Sequence, residues 1–219
     1  MLQDAIDSFA DVFSPPFRNV MFKSLGLTIA VLVVAGLGLD RLALSFVHIE
    51  RNWLAWAISA LVGLGIVAGL VLLAAPTTSL VASFFIDEIA GLVEREVDPG
   101  GAPGRPAPAW DLALFALRFA GLSLLVTIVA LALLFVPGLG VVAWVGANAY
   151  LLGRLYFELA AMRFRPAAEA RAMREHFAGR VYFAGLFIAG FVAIPLLNLF
   201  TPLFATALMA RLHKRLAAV

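Results

Sequence analysis

The residues best suited to chemistry lie near the front of the chain, in Ser14-Pro15-Pro16-Phe17-Arg18-Asn19-Val20-Met21-Phe22-Lys23. Prolines end whatever helix precedes them, and a new helix begins near Phe17 to Asn19. Its first backbone amides have no intrahelical partner and carry the positive end of the helix dipole. With Arg18 and Lys23 beside them, these amides can hold an anion. A guanidinium and peptide N–H groups together suit a tetrahedral oxyanion. The same two cations also fit a plainer role, anchoring the helix to lipid headgroups and setting its orientation. The residues alone leave both readings open.

Two further positions invite a functional reading. Val136-Pro137-Gly138-Leu139-Gly140 pairs a helix terminator with glycines, and Ala193-Ile194-Pro195-Leu196-Leu197-Asn198 followed by Thr201-Pro202 repeats the design. Broken helices at membrane depth line ion paths and offer amides and helix ends to a solute. They also serve as plain turns satisfied inside the protein. Pro137, Gly138, Pro195 and Asn198 are therefore candidate pore or tip residues. Asn148 and Asn198 equally fit hydrogen bonds between helices.

Enzyme chemistry has little to work with. Cysteine is absent, and His48, His176 and His213 each fall near a water-facing end without metal-ligand spacing. The uncharged runs contain no acid, so neither a proton relay nor an intramembrane acid pair is present in them. The reading is a non-enzyme with no cofactor, metal or catalytic residue.

Composition says what must position these groups. Of 219 residues, 63% are apolar and 14% charged, with a mean hydropathy of +0.99. A soluble domain runs at about half apolar and about a quarter charged. Too little polar surface exists here to cover the hydrocarbon, so the chain reads as an integral membrane protein. A net charge of +2 is too small for a nucleic-acid partner. The first seventeen residues hold Asp4, Asp7 and Asp11 but no Lys or Arg, unlike a signal peptide, so the N-terminus is expected to be kept.

The uncharged runs are Ser24 to Leu39, Asn52 to Ile86, Phe119 to Gly153 and Val181 to Ala210, of 16, 35, 35 and 30 residues. A bilayer core takes about 20 helical residues. The last run breaks at Pro195 into halves of 14 and 15 residues, each about 22 Å long and short for a crossing. These lengths predict an all-α membrane domain over 1–219. It comprises an interfacial helix over 1–14, with Leu2, Ile6, Phe9 and Phe13 opposite the three aspartates, and two long membrane helices over 17–49 and 52–96. A Pro/Gly-rich loop follows over 97–111, then a hemi-penetrating hairpin over 112–162. A water-facing polar helix over 163–180 leads to a second dipping hairpin over 181–213. Gly65 and Gly69 form a small-residue packing pattern, and Trp53, Trp56, Trp110, Tyr150, Tyr156 and Tyr182 are interfacial candidates. All basic residues except Arg41 and Arg51 fall on the side of the termini, which predicts cytoplasmic termini.

The chain resembles the CysZ sulfate permeases of bacteria, within a broader etoposide-induced-protein-like membrane superfamily. The likeness runs through Pro16-Phe17-Arg18, Ala75-Pro76, Phe135 to Gly140, Tyr156-Phe157-Glu158, Ile194 to Leu199 with Pro202, and Thr206-Ala207. It implies two long helices with two hemi-penetrating hairpins, a homo-oligomer in the inner membrane, and sulfate uptake for cysteine biosynthesis. The family's anion-binding turn is typically Gly-Leu-Arg. Phe17 and Arg18 match its last two positions, Pro16 replaces the glycine, and Asn19 stands where many members have a second basic residue. The resemblance thus implies sulfate binding at Phe17, Arg18 and Asn19, with longer-range attraction from Lys23. A permease for another oxyanion and a non-transporting membrane scaffold are the alternatives.

Overall fold

The computed structural model describes residues 2–46, 60, 61, 63–65, 86–134, 136, 139–198 and 200–218, and among them there is no strand. In chain order the helices are α1 (Leu2–Val12), α2 (Pro15–Phe46), α3 (Ile86–Val97), α4 (Ala109–Leu134), α5 (Gly140–Met162), α6 (Ala167–His176), α7 (Ala178–Val192), the short α8 (Pro195–Asn198) and α9 (Thr201–Ala217). Contacts divide the chain into two units, residues 1–18 with 86–219, and residues 19–85. His48, Trp53, Trp56, Gly69, Pro76 and most of the expected 52–96 helix lie outside the described residues.

The first unit is built around α9. It packs against α1, α3, α5 and α7, and every residue from Thr201 to His213 is buried. Ala205, Ala207 and Ala210 are 0–2% exposed, so small side chains let several helices close in on one. Pro202 sits in the first turn, where a missing N–H costs nothing. The Phe191 and Phe204 rings stack with centroids 4.4 Å apart. Helices α5 and α7 touch backbone to backbone. A Cβ on Gly153 would lie 2.8 Å from the Val181 carbonyl oxygen, and one on Gly185 2.0 Å from that of Ala149. Gly65 of the expected packing pattern has open space where a Cβ would stand; among the described residues the close approach belongs to Gly153 and Gly185.

Helix α4 has the opposite surroundings. It is the one helix among the described residues long and apolar enough to cross a membrane, and only 6% of its apolar window is buried in protein. Leu117, Leu124, Leu125 and Ile128 are all exposed. A helix apolar on every side and uncovered by protein calls for hydrocarbon around it. In the second unit, α2 carries a shorter apolar stretch, Gly26–Gly38, exposing Leu27, Ile29, Val33, Val34 and Leu37.

Charged groups in the first unit find their partners inside the protein. On α1 the apolar Leu2, Ile6, Phe9 and Phe13 are exposed, while Asp4 is buried. Asp4 pairs with Arg215, and Asp11 with Arg211. The aspartates therefore face protein and the apolar stripe faces outward, as an environment of lipid favours. The stretch 163–180 is not uniformly in water either, since Arg163 and Arg174 are buried in ion pairs. Tyr156 is buried rather than interfacial. Asn148 donates to the Trp144 carbonyl oxygen of its own helix at 2.9 Å, and the Asn198 side chain accepts from the Thr201 hydroxyl at 3.3 Å. The Asn148 amide is thus used within its own helix, and the Asn198 side chain joins α8 to the first residue of α9.

Candidate functional site

The opening of α2 determines which amides an anion can reach. Ser14 N–H donates to the Asp11 carbonyl oxygen at 2.8 Å, closing α1. Helix α2 then starts at Pro15, two residues before the expected Phe17, because proline's fixed φ suits the first helical positions. Pro15 and Pro16 have no N–H to offer. Arg18 N–H donates to the Ser14 carbonyl oxygen at 2.9 Å, and from Asn19 onward the ordinary helical ladder uses the amides. Phe17 N–H alone is left over in this turn. The expectation of several free amides across Phe17 to Asn19 is corrected to one.

The side chains fare differently. Arg18, Asn19 and Lys23 are exposed and the Phe17 ring is buried. Arg18 has no acid partner among the described residues, whereas Lys23 is already engaged. Five residues of α-helix turn Arg18 and Lys23 about 140° apart, while Asn19 and Lys23 share a face. The helix thus presents Arg18 at its surface, next to the spare amide of a residue 3% exposed as a whole, and directs Lys23 elsewhere. Of the tip candidates, Pro137 and Gly138 lie outside the described residues, Pro195 opens α8, and Asn198 is exposed.

The most densely charged region was not singled out from sequence. Arg211 contacts Asp11 and reaches Glu96 at 3.1 Å, and Lys214 reaches Asp98 at 3.0 Å. Buried Glu158 is approached by Arg174 at 2.7 Å and Arg154 at 3.1 Å. The two contacts to Glu158 are close as ion pairs without being aligned as hydrogen bonds. Buried Arg163 grips buried Glu94 and also contacts Asp87. The available signal was numerical, since acids in a chain this apolar need cationic partners wherever they leave water.

His213 is the other surprise. It closes the 181–213 stretch, three residues beyond Ala210, where the uncharged run ends. It is not water-facing but 1% exposed, stacked on Phe164 at 5.2 Å and edge-on to Phe157 at 6.1 Å. Burial, with Arg165 and Lys214 nearby, pushes its pKa down to about 4. The folded state therefore holds it neutral, while the unfolded chain binds a proton below about 6.5. Its contribution is fully present above that value and is lost as pH falls toward about 4, on the order of 3 kcal/mol across the window. Melting followed by circular dichroism should show this loss on acidification, and His213→Phe should flatten it. An unchanged pH profile in that variant would refute the assignment.

No group of three or more His, Asp or Glu among the described residues is placed to hold a metal ion. A fold that is helical throughout the described residues and leaves a long apolar helix unburied is that of a membrane protein. Its sequence matches the family described as sulfate transporter CysZ/Etoposide-induced protein 2.4 over residues 5–202, and the chain belongs to that family. No curated protein matches the chain as a relative. Membership gives it a sulfate transporter-like membrane function, in a transporter family rather than an enzyme family.

Proposed function

We propose that the chain passes sulfate across the bacterial inner membrane, as a permease or channel that supplies cysteine biosynthesis. Family membership supports the substrate class. The observation that carries the site is Arg18, exposed, without an acid partner among the described residues, and next to the one spare amide of its turn. Its guanidinium offers paired N–H donors to two oxygens of a tetrahedral dianion, and Phe17 N–H supplies a third. Asn19 and Lys23 lie further along the helix, where Lys23 adds longer-range attraction. The remaining parts of the reading are cytoplasmic termini, a homo-oligomer, and hairpins over 112–162 and 181–213 that dip in and return with tips near Pro137–Gly138 and Pro195–Asn198.

Labelled sulfate flux into proteoliposomes tests this. Wild type should transport, and Arg18→Ala should lose about tenfold or more, because a charge-assisted hydrogen-bond pair is worth about 1.5–3 kcal/mol. Equal flux and equal sulfate binding in the variant would remove Arg18 from the site. Absence of flux from wild type would favour a membrane scaffold. With a single spare amide the turn is less demanding than an amide-rich one, which favours a second reading of broader oxyanion selectivity. Competition by sulfite and thiosulfate reads this directly.

A further inference from the structure

Of the first unit's arginines without acid partners among the described residues, which also include Arg18, Arg95 and Arg180, three come together. Arg105, Arg118 and Arg165 line two adjoining cavities that share Asp111 and Ala167 as a common wall. The larger, about 410 Å³, lies between the loop at Arg105 to Pro108 and the turn at Arg163 to Pro166. Arg105 N–H donates to the Arg163 carbonyl oxygen at 2.9 Å and closes the loop over that turn. The smaller, about 50 Å³, lies between α4, α5 and α6, with Arg118, Arg154 and Glu158 in its lining.

Three observations say what fits there. First, Arg165 Nε is buried without a hydrogen-bond partner, a state that costs free energy unless a ligand supplies an acceptor. Second, Glu158 is already claimed by Arg154 and Arg174. Asp111 is then the one lining carboxylate without a cation, against three lining guanidiniums without an anion, among the described residues. The walls are net positive. Third, Arg118 and Arg154 immediately flank the uncharged run Phe119 to Gly153. The cavities therefore lie at the polar end of that hairpin, at the depth of lipid headgroups.

We propose that these cavities form a second anion site, which takes a tetrahedral oxyanion bearing sulfate or phosphate chemistry, held by Arg105, Arg118 and Arg165. Two sources carry that chemistry, a free oxyanion in the water and the phosphate of an anionic lipid. Phe17 and Arg18 do not line it, so its fate is separate from that of the α2 site.

The test uses full-length protein, delipidated in detergent. One arm measures labelled sulfate binding against a chloride background. The other measures retention of phosphatidylglycerol against phosphatidylcholine by native mass spectrometry. The double variant Arg118→Gln/Arg165→Gln should weaken binding in at least one arm about tenfold, while Asp111→Asn, which removes the repelling carboxylate, should strengthen the same arm severalfold. Arg18→Ala should leave that effect of Asp111→Asn in place. A response confined to sulfate identifies a free oxyanion, one confined to phosphatidylglycerol identifies a headgroup, and either supports the site. Circular dichroism checks that the variants fold, and Asp111→Asn supplies a gain that unfolding cannot mimic. If the double variant binds both probes as wild type does, or Asp111→Asn weakens binding, the site does not exist.

Discussion

Replacing Gly185 by alanine is expected to prevent the first unit from folding, while Gly190→Ala in the same helix leaves it intact. A Cβ at 185 would stand 2.0 Å from the Ala149 carbonyl oxygen and 2.9 Å from its carbon. Both are backbone atoms of α5, so no side chain can rotate out of the way. Relief requires α5 and α7 to part, which would uncover Ile188 and Phe157, now 0% exposed. Ordinary overpacking costs about 1–3 kcal/mol; a clash between two backbones exceeds this and uses up much of a total stability of about 5–15 kcal/mol. At Gly190 nothing lies within 4 Å of the added atom, and alanine gains up to about 1 kcal/mol of helix propensity. Yield of monodisperse protein and its melting temperature in detergent read the difference. Wild-type melting in the Gly185 variant would mean that α5 and α7 do not pack as described.

That contact also marks the limit of what was legible in the residues. Local signals worked well. The uncharged run Phe119 to Gly153 carries a proline–glycine break, and the structure places the end of α4 and the start of α5 on either side of it. The run Val181 to Ala210 likewise separates into α7 and α9 about Pro195. Length and terminators act within a few residues, so composition reports them directly. Gly153 and Gly185 form no pattern along the chain, because their meeting depends on which helices become neighbours. The evenly spaced Gly65 and Gly69 drew attention instead.

The choice of face on α1 was not legible in the residues. Periodicity shows that Asp4 and Asp11 share a face opposite Leu2, Ile6, Phe9 and Phe13, but it does not say which face meets the protein. In water the apolar face turns inward. Against lipid the apolar face can turn outward, and charged groups then find partners inside, as Arg211 and Arg215 provide. The candidate anion turn was half legible by the same measure. Exposure of Arg18 follows from its position at a helix start, but the supply of amides depended on where the helix begins. That start moved two residues to Pro15 and Pro16, which have no N–H to give.

The second large effect is expected at Arg163. This guanidinium and Glu94 are 9% and 3% exposed, and they meet at two points, Nε to Oε1 at 2.7 Å and Nη2 to Oε2 at 3.3 Å. Gly104 joins them, its N–H donating to Glu94 Oε2 at 3.1 Å and its carbonyl accepting from Arg163 at 3.3 Å. Asp87 contacts the remaining nitrogen. One buried pair thus ties α3, the loop before α4 and the end of α5 together. Arg163→Met leaves the Glu94 carboxylate buried with little beyond a single amide, and loss of one partner of such a pair costs about 3–5 kcal/mol. Adding Glu94→Leu removes the stranded charge, so the double variant should recover much of that loss. Melting of the two single variants and the double variant gives the coupling. Limited proteolysis should cut faster near Gly104 in Arg163→Met, because the loop has lost its anchor. Single variants that melt within about 1 kcal/mol of wild type, additively in the double, would mean that the pair is solvated and holds nothing together.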